Sequence, residues 1–145
     1  MVVVVAIAAL IVGLSFPAAS AGLENVRMVS TGDSVATFLN AAGNRAQRYQ
    51  QPVELTIDAQ EGRLDLYSSQ AGFHRELKLP EGIAIEAVLP ADEGGVAGQP
   101  RRVLFIPGAT VPGIAIELVN RRGAHRRVRL DPMTGFPHVE SVEPK

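Results

Sequence analysis

Three histidines, His74, His125 and His138, are the side chains of this 145-residue chain best suited to acid–base or metal chemistry. Their spacing matches no metal-binding motif, and the sequence contains no HExxH, GxSxG or glycine-rich phosphate loop. Asp131 with His138 suggests an acid–base pair, but a turn aspartate before Pro132 and a solvated histidine explain these residues better. The absence of cysteine excludes a thiolate metal site and a cysteine nucleophile. We therefore expect a protein that is not an enzyme, with no catalytic residue, no cofactor and no metal site.

A strand-like segment near the C-terminus concentrates positive charge. Its alternation places His125, Arg127 and Arg129 on one face, and Arg121 and Arg122 lie in the preceding turn. Because arginine binds phosphate in a bidentate manner, these five residues are a candidate DNA contact. No aromatic residue is interleaved with them, which argues against stacking on single-stranded bases. The alternative that we favour is a solvated or subunit-contact face, balanced by the acidic region of residues 54–93 in the same or a neighbouring subunit.

The net charge of −1 results from two regions of opposite charge. Residues 54–93 carry nine acidic and three basic residues, whereas residues 101–130 carry seven arginines and a single glutamate. With 46% hydrophobic residues the chain can bury a core, which excludes a disordered chain. Its length is that of one ordinary domain.

Residues 1–22 are almost entirely aliphatic or small, and the first charged residue is Glu24. Three interpretations compete: a transmembrane helix, a signal peptide cleaved after Ala21, and a buried core helix. No basic residue precedes the run, which argues against a signal peptide, and the uniform apolarity argues against a core helix. We therefore expect a retained helix that crosses a membrane or packs in a filament, with a kink at Pro17. The side chains predicted to form this surface are Val2, Val3, Val4, Val5, Ile7, Leu10, Ile11, Val12, Leu14 and Pro17.

Apolar residues spaced by three and four predict that the helix continues as an amphipathic segment over residues 23–51. The predicted stripe consists of Leu23, Val26, Val35, Phe38, Leu39, Ala42, Ala46 and Tyr49. Pro52 supplies a stop, because proline cannot continue a helix.

After Pro52 the apolar residues alternate with a period of two, which is typical of half-buried strands. The predicted strands are Val53–Ile57, Leu64–Tyr67, Phe73–Leu79, Ile83–Val88, Val103–Ile106, Ile114–Val119 and Arg126–Leu130. The predicted fold class is α+β. A long N-terminal helix, apolar and then amphipathic, packs on an antiparallel β-sheet head formed by residues 52–145.

The opening residues MVVVVAIAAL followed by Pro17 resemble the N-terminal helix of type IV pilin-like proteins. The head resembles that of the GspH/FimT group of minor pseudopilins in three segments, Phe105–Gly108, Ile114–Gly123 and Val128–Gly135. This resemblance covers essentially the whole chain and implies a pilin-like fold. The family's Gly-Phe-Thr-Leu-Ile-Glu motif, which a prepilin peptidase cuts after the glycine, is absent together with any basic leader. We expect that the chain as given starts downstream of that motif, so no cleavage or methylation site is assigned to a residue.

The resemblance implies a minor pseudopilin of the type II secretion system, a structural subunit of the periplasmic pseudopilus needed for protein export across the outer membrane. The implied partners are other major and minor pseudopilins, the inner-membrane assembly platform and the prepilin peptidase. The implied location is the bacterial inner membrane, in a single pass with the head in the periplasm. Two alternatives stay open: a FimT-like minor pilin of a type IV pilus that contacts DNA through C-terminal arginines, and a soluble secreted β domain released from a signal peptide.

Overall fold

The computed structural model of the chain describes residues 1–69, 72–91 and 98–142, without the side chains of residues 14–21. A helix, α1, spans Val2–Tyr49, which corresponds to a length of about 72 Å. Gln50 follows it with a left-handed backbone (φ 51°), a common way to end a helix, and Pro52 prevents its continuation. The apolar and small side chains of α1 that are buried against the rest of the protein are Met28, Val35, Phe38, Leu39, Ala42 and Ala46.

The buried face of α1 differs at both ends from the predicted stripe. Leu23, Val26 and Tyr49 were expected on it, yet about half or more of each side chain is exposed. The buried face continues from Val35 toward the N-terminus through Thr31 and Met28, in steps of four and three residues. These two buried residues lie on a different face of the helix from Leu23 and Val26. The Thr31 hydroxyl is satisfied inside the helix, because it donates a hydrogen bond to the Arg27 carbonyl oxygen at 2.7 Å. The packing of the helix on the head therefore begins near Met28.

Eight strands follow within the described residues, and every pairing between them is antiparallel. They are β1 (Val53–Asp58), β2 (Arg63–Ser68), β3 (His74–Lys78), β4 (Ile83–Leu89), β5 (Arg101–Phe105), β6 (Ala115–Asn120), β7 (His125–Leu130) and β8 (Pro137–Val142). The first sheet has the order β3-β2-β1-β5, and the second has the order β4-β6-β7-β8. The chain therefore changes sheet after β3, returns to the first sheet with β5, and completes the second sheet with β6–β8.

The buried faces of both sheets and the stripe of α1 form one hydrophobic core. In β1 the alternation is regular, so that Val53, Leu55 and Ile57 are buried while the residues between them are half-buried. The second sheet contributes fully buried residues such as Ile116 and Leu118. The core thus joins α1 to both sheets.

The predicted fold class, a long helix packed on an antiparallel β-sheet head, is wrong about the architecture of the head. The described strands form two separate four-stranded sheets rather than one small sheet against a helix. A physical reason is the width of the apolar surface. Eight strands spaced about 4.8 Å apart would make a sheet far wider than a helix of about 10 Å, and much of its apolar face would stay uncovered. Two sheets that share a core with the helix bury that surface.

Among the described residues, no helix has the length and apolarity needed to cross a membrane. The predicted location, a single pass through the inner membrane, is therefore wrong. The side chains of Leu14 and Pro17 lie outside the described residues, so the kink at Pro17 stays a prediction.

Candidate interaction surfaces

The first part of α1, which we call the apolar helix segment (Val2–Val12), is exposed along its whole length. Its eight large aliphatic side chains are between 53% and 84% exposed, although each would gain from burial. A protein rarely leaves a contiguous apolar surface of this kind in water unless another apolar surface covers it. These are the residues that the sequence assigns to a membrane or filament surface, and their geometry suits contact with other helices.

A charged face of the second sheet, which we call the β7 face, contains three of the five residues predicted to contact DNA or another subunit. The register of β7 places His125, Arg127 and Arg129 on one side of the strand, because successive strand residues point to opposite faces. Each of the three has a carboxylate partner in its own sheet. Arg127 makes two hydrogen bonds to Glu117 of β6, at 2.6 and 3.1 Å. The other two pairs are Arg129 with Glu140 of β8 at 3.4 Å and His125 with Glu86 of β4 at 2.7 Å.

The remaining arginines of this region lie close to the ends of other elements. Arg122, in the turn before β7, forms an ion pair at 2.7 Å with Glu24 of α1, which ties this turn to the helix. Arg121 lies against Gly82, just before β4, where a Cβ atom would come within 3.3 Å of the guanidinium group. The structure thus separates Arg121 and Arg122 from the β7 face.

The ion pairs of His125, Arg127 and Arg129 limit what the β7 face can bind. The sequence suggests acidic partners in residues 54–93. Among the described residues, the partners are Glu86 from that region and Glu24, Glu117 and Glu140 from outside it. Binding of DNA is driven by unneutralised positive charge that replaces counterions on phosphate. Carboxylates of the same protein already neutralise these side chains, so the geometry favours a structural or subunit-contact role for them.

Asp131 and His138 do not form a close acid–base pair, since their nearest side-chain atoms are 3.9 Å apart. Asp131 instead accepts a hydrogen bond from the backbone N–H of Met133 at 2.8 Å, as a turn aspartate does. This backbone N–H is the main cause that holds the pKa of the Asp131 carboxyl below its ordinary value. Asp131 therefore stabilises the turn between β7 and β8.

A second polar cluster, which the sequence did not reveal, lies on the β2–β3 hairpin. Asp65 is 2% exposed although it is charged, and its two carboxylate oxygens have different partners. His74 Nε2 lies 2.8 Å from Asp65 Oδ1, and Arg63 donates a hydrogen bond from Nε to Oδ2 at 2.9 Å. The Asp65 carboxylate is the main cause that raises the pKa of the Arg63 guanidinium above its ordinary value. Tyr67 stacks on the His74 ring with centroids 4.6 Å apart, and Glu76 is directly opposite Asp65.

No family model, curated protein or solved structure matches the chain. Function is therefore inferred from these surfaces and from the resemblance of the sequence to minor pseudopilins. The apolar helix segment and the Asp65 cluster both lie outside the hydrophobic core of the described residues.

Proposed function

We propose that this protein is a minor pseudopilin of the type II secretion system, a structural subunit rather than an enzyme. In this role the apolar helix segment (Val2–Val12) packs against the helices of other pseudopilins, and the two-sheet head faces outward from the assembly. The single observation that carries the proposal is the exposure of this segment beside a head that buries its own core without it. The resemblance of the sequence to the GspH/FimT group supplies the identity of the assembly.

The energetics of the apolar helix segment support an assembly with several neighbours. Fully burying a large aliphatic side chain stabilises by about 1.5–3 kcal/mol, and roughly two thirds of each of these side chains is still available for burial. The eight side chains together therefore offer on the order of 10 kcal/mol. Association costs about 4–15 kcal/mol in lost translational and rotational freedom. Because the whole gain lies within the range of this cost, partial burial against one neighbour offers too little, and burial on all sides, as in the core of a helical filament, is favoured.

The charged surfaces of the head fit a structural role. Most of the positive charge of β7 is compensated within the second sheet, which leaves a rigid face of alternating sign. Surfaces of alternating sign contribute mainly to the orientation and specificity of a contact rather than to its affinity. In the proposed assembly the apolar helix segment supplies the affinity, and the head selects the neighbouring subunit.

The experiment is gene deletion followed by complementation, with export of folded proteins across the outer membrane as the measurement. We expect deletion to stop export and the unmodified gene to restore it. Ile7→Asp places a charge in the middle of the apolar helix segment and is expected not to restore export. Ala59→Asp adds the same charge at an exposed turn between β1 and β2 and is expected to restore it.

Two outcomes would contradict the proposal. Normal export after deletion would refute the assignment to type II secretion. Full complementation by Ile7→Asp would show that the apolar helix segment is not a packing surface. Circular dichroism and the amount of protein in cells establish that both variants fold, because neither substitution touches the core.

A further inference from the structure

We propose that Asp65, His74 and Glu76 bind a divalent first-row transition metal ion, with zinc as the probe. One ligand atom from each of the three residues lies within 4.8 Å of the other two. The three come from neighbouring strands, because the register of the β2–β3 hairpin sets Asp65 opposite Glu76 and Tyr67 opposite His74. This inference is independent of the proposed role in secretion.

A bound ion requires a small rearrangement of the three ligand atoms, which lie within 4.8 Å of one another. Zinc binds carboxylate oxygen and imidazole nitrogen at about 2.0–2.2 Å, so two ligands of one ion can be separated by up to about 4.2 Å. The separation between His74 Nε2 and Asp65 Oδ1 is 2.8 Å, which must open slightly to admit an ion between them. Glu76 is exposed on the edge strand β3, so its carboxylate can rotate toward the other two without disturbing the core.

The surroundings of Asp65 and His74 hold both side chains in place for coordination. Arg63 occupies Oδ2 of Asp65 and leaves Oδ1 directed toward His74, an arrangement in which an outer partner orients a metal ligand. Tyr67 lies parallel to the imidazole ring, with an angle of 7° between the two rings, and thereby fixes the plane in which the Nε2 lone pair lies. The ion would replace the contact between Nε2 and Oδ1, with Nε2 as the unprotonated nitrogen of a neutral imidazole and the ring proton on Nδ1.

The donor set favours a particular class of ion. Calcium takes six to eight oxygen ligands and magnesium an octahedral oxygen shell, which a site with two carboxylates and one imidazole does not provide. Imidazole together with carboxylate suits zinc and neighbouring transition metals. Three protein ligands leave a coordination position open to water or to a residue of another subunit.

The experiment measures zinc binding by the full chain in a calorimetric titration. His74→Gln keeps an amide N–H that can donate to Asp65 but removes the imidazole ligand, and Glu76→Gln removes the second carboxylate. The matched control is the double variant His125→Gln/His138→Gln, which removes the two histidines of the other sheet. We expect one zinc ion per chain, a loss of at least about tenfold in affinity for His74→Gln and for Glu76→Gln, and no change for the control.

A second measurement separates coordination from a merely structural cluster. Zinc coordination shifts the nitrogen NMR resonance of His74 Nε2, whereas an effect of zinc elsewhere on the protein leaves this resonance in place. Equal zinc affinity of the unmodified chain and His74→Gln would overturn the proposal and leave Arg63 and His74 as ion-pair partners of Asp65 only. An excess of magnesium or calcium that displaces zinc would equally overturn it. Thermal unfolding of each variant confirms that a loss of binding is not a loss of folding.

Discussion

Replacement of Leu39 by alanine, compared with the same replacement at Leu10, distinguishes the two parts of α1. Leu39 is fully buried in the core that the helix shares with both sheets, whereas 65% of Leu10 is exposed in the apolar helix segment. Removal of the buried side chain loses about 0.8 kcal/mol per methylene and leaves a cavity, which together give a loss of about 3–4 kcal/mol. Removal of the exposed side chain is expected to change the free energy of unfolding by less than about 0.5 kcal/mol.

The assay is urea unfolding followed by circular dichroism, with both variants and the unmodified chain in the same buffer and at the same protein concentration. The Leu39→Ala loss is a large part of the about 5–15 kcal/mol that stabilises an ordinary domain, so its midpoint should fall markedly. The dependence on urea should stay the same, since the surface exposed on unfolding hardly changes. Equal destabilisation by Leu10→Ala, or a loss below about 1 kcal/mol for Leu39→Ala, would refute this division of the helix.

Three further predictions concern the head. Arg127→Ala/Arg129→Ala should lower the free energy of unfolding by about 1 kcal/mol. In a gel shift, the unmodified chain and this variant should give the same DNA mobility at every salt concentration, whereas a salt-sensitive shift that is lost in the variant would contradict the argument that these arginines are already paired. Asp131→Asn tests the lowered pKa of the Asp131 carboxyl. The ionised carboxylate should stabilise the unmodified chain relative to this variant fully above the unfolded pKa of about 3.8, and this advantage should disappear as the pH falls through the lower folded pKa. A difference in the free energy of unfolding between the two proteins that persists in strong acid would contradict this reasoning. Gly82→Ala should destabilise the protein by about 1–2 kcal/mol, because the φ of Gly82 is 89° and a guanidinium group lies close by. Gly22→Ala, in open space on the helix, should not destabilise it, and equal effects of the two substitutions in thermal unfolding would contradict the reasoning.

The strands could be located from the sequence, but their arrangement could not. Each of the seven predicted segments overlaps a strand, because one buried face imposes a period of two on any half-buried strand. The alternation does not say which strands are neighbours. The pairing of β5 with β1 joins Arg101–Phe105 to Val53–Asp58 across more than forty residues, and this pairing fixes the division into two sheets. The last strand, Pro137–Val142, was not predicted because its buried face is weak, with only half-buried residues.

The Asp65 cluster could not be found from spacing along the chain. Asp65 and His74 are nine residues apart in sequence, and they meet only because the hairpin register brings them to adjacent positions. An available signal was the charged residue Asp65 between Leu64 and Leu66, since an acidic side chain in a strand is buried only when it has partners. The five basic residues near the C-terminus were identified from the sequence, but the carboxylate partners of His125, Arg127 and Arg129 depend on strand neighbours that alternation does not reveal.

The most direct test of the central claim is site-specific crosslinking in cells from the apolar helix segment. The chain contains no cysteine, so Val4→Cys provides a unique attachment point for a photoreactive crosslinker, and Ala59→Cys provides the matched control on the head. If the segment packs among the helices of other pseudopilins, Val4→Cys should yield crosslinks that mass spectrometry maps to the apolar helices of those subunits, and Ala59→Cys should not. Absence of crosslinks from Val4→Cys, or the same partners at the same yield from both positions, would contradict the account.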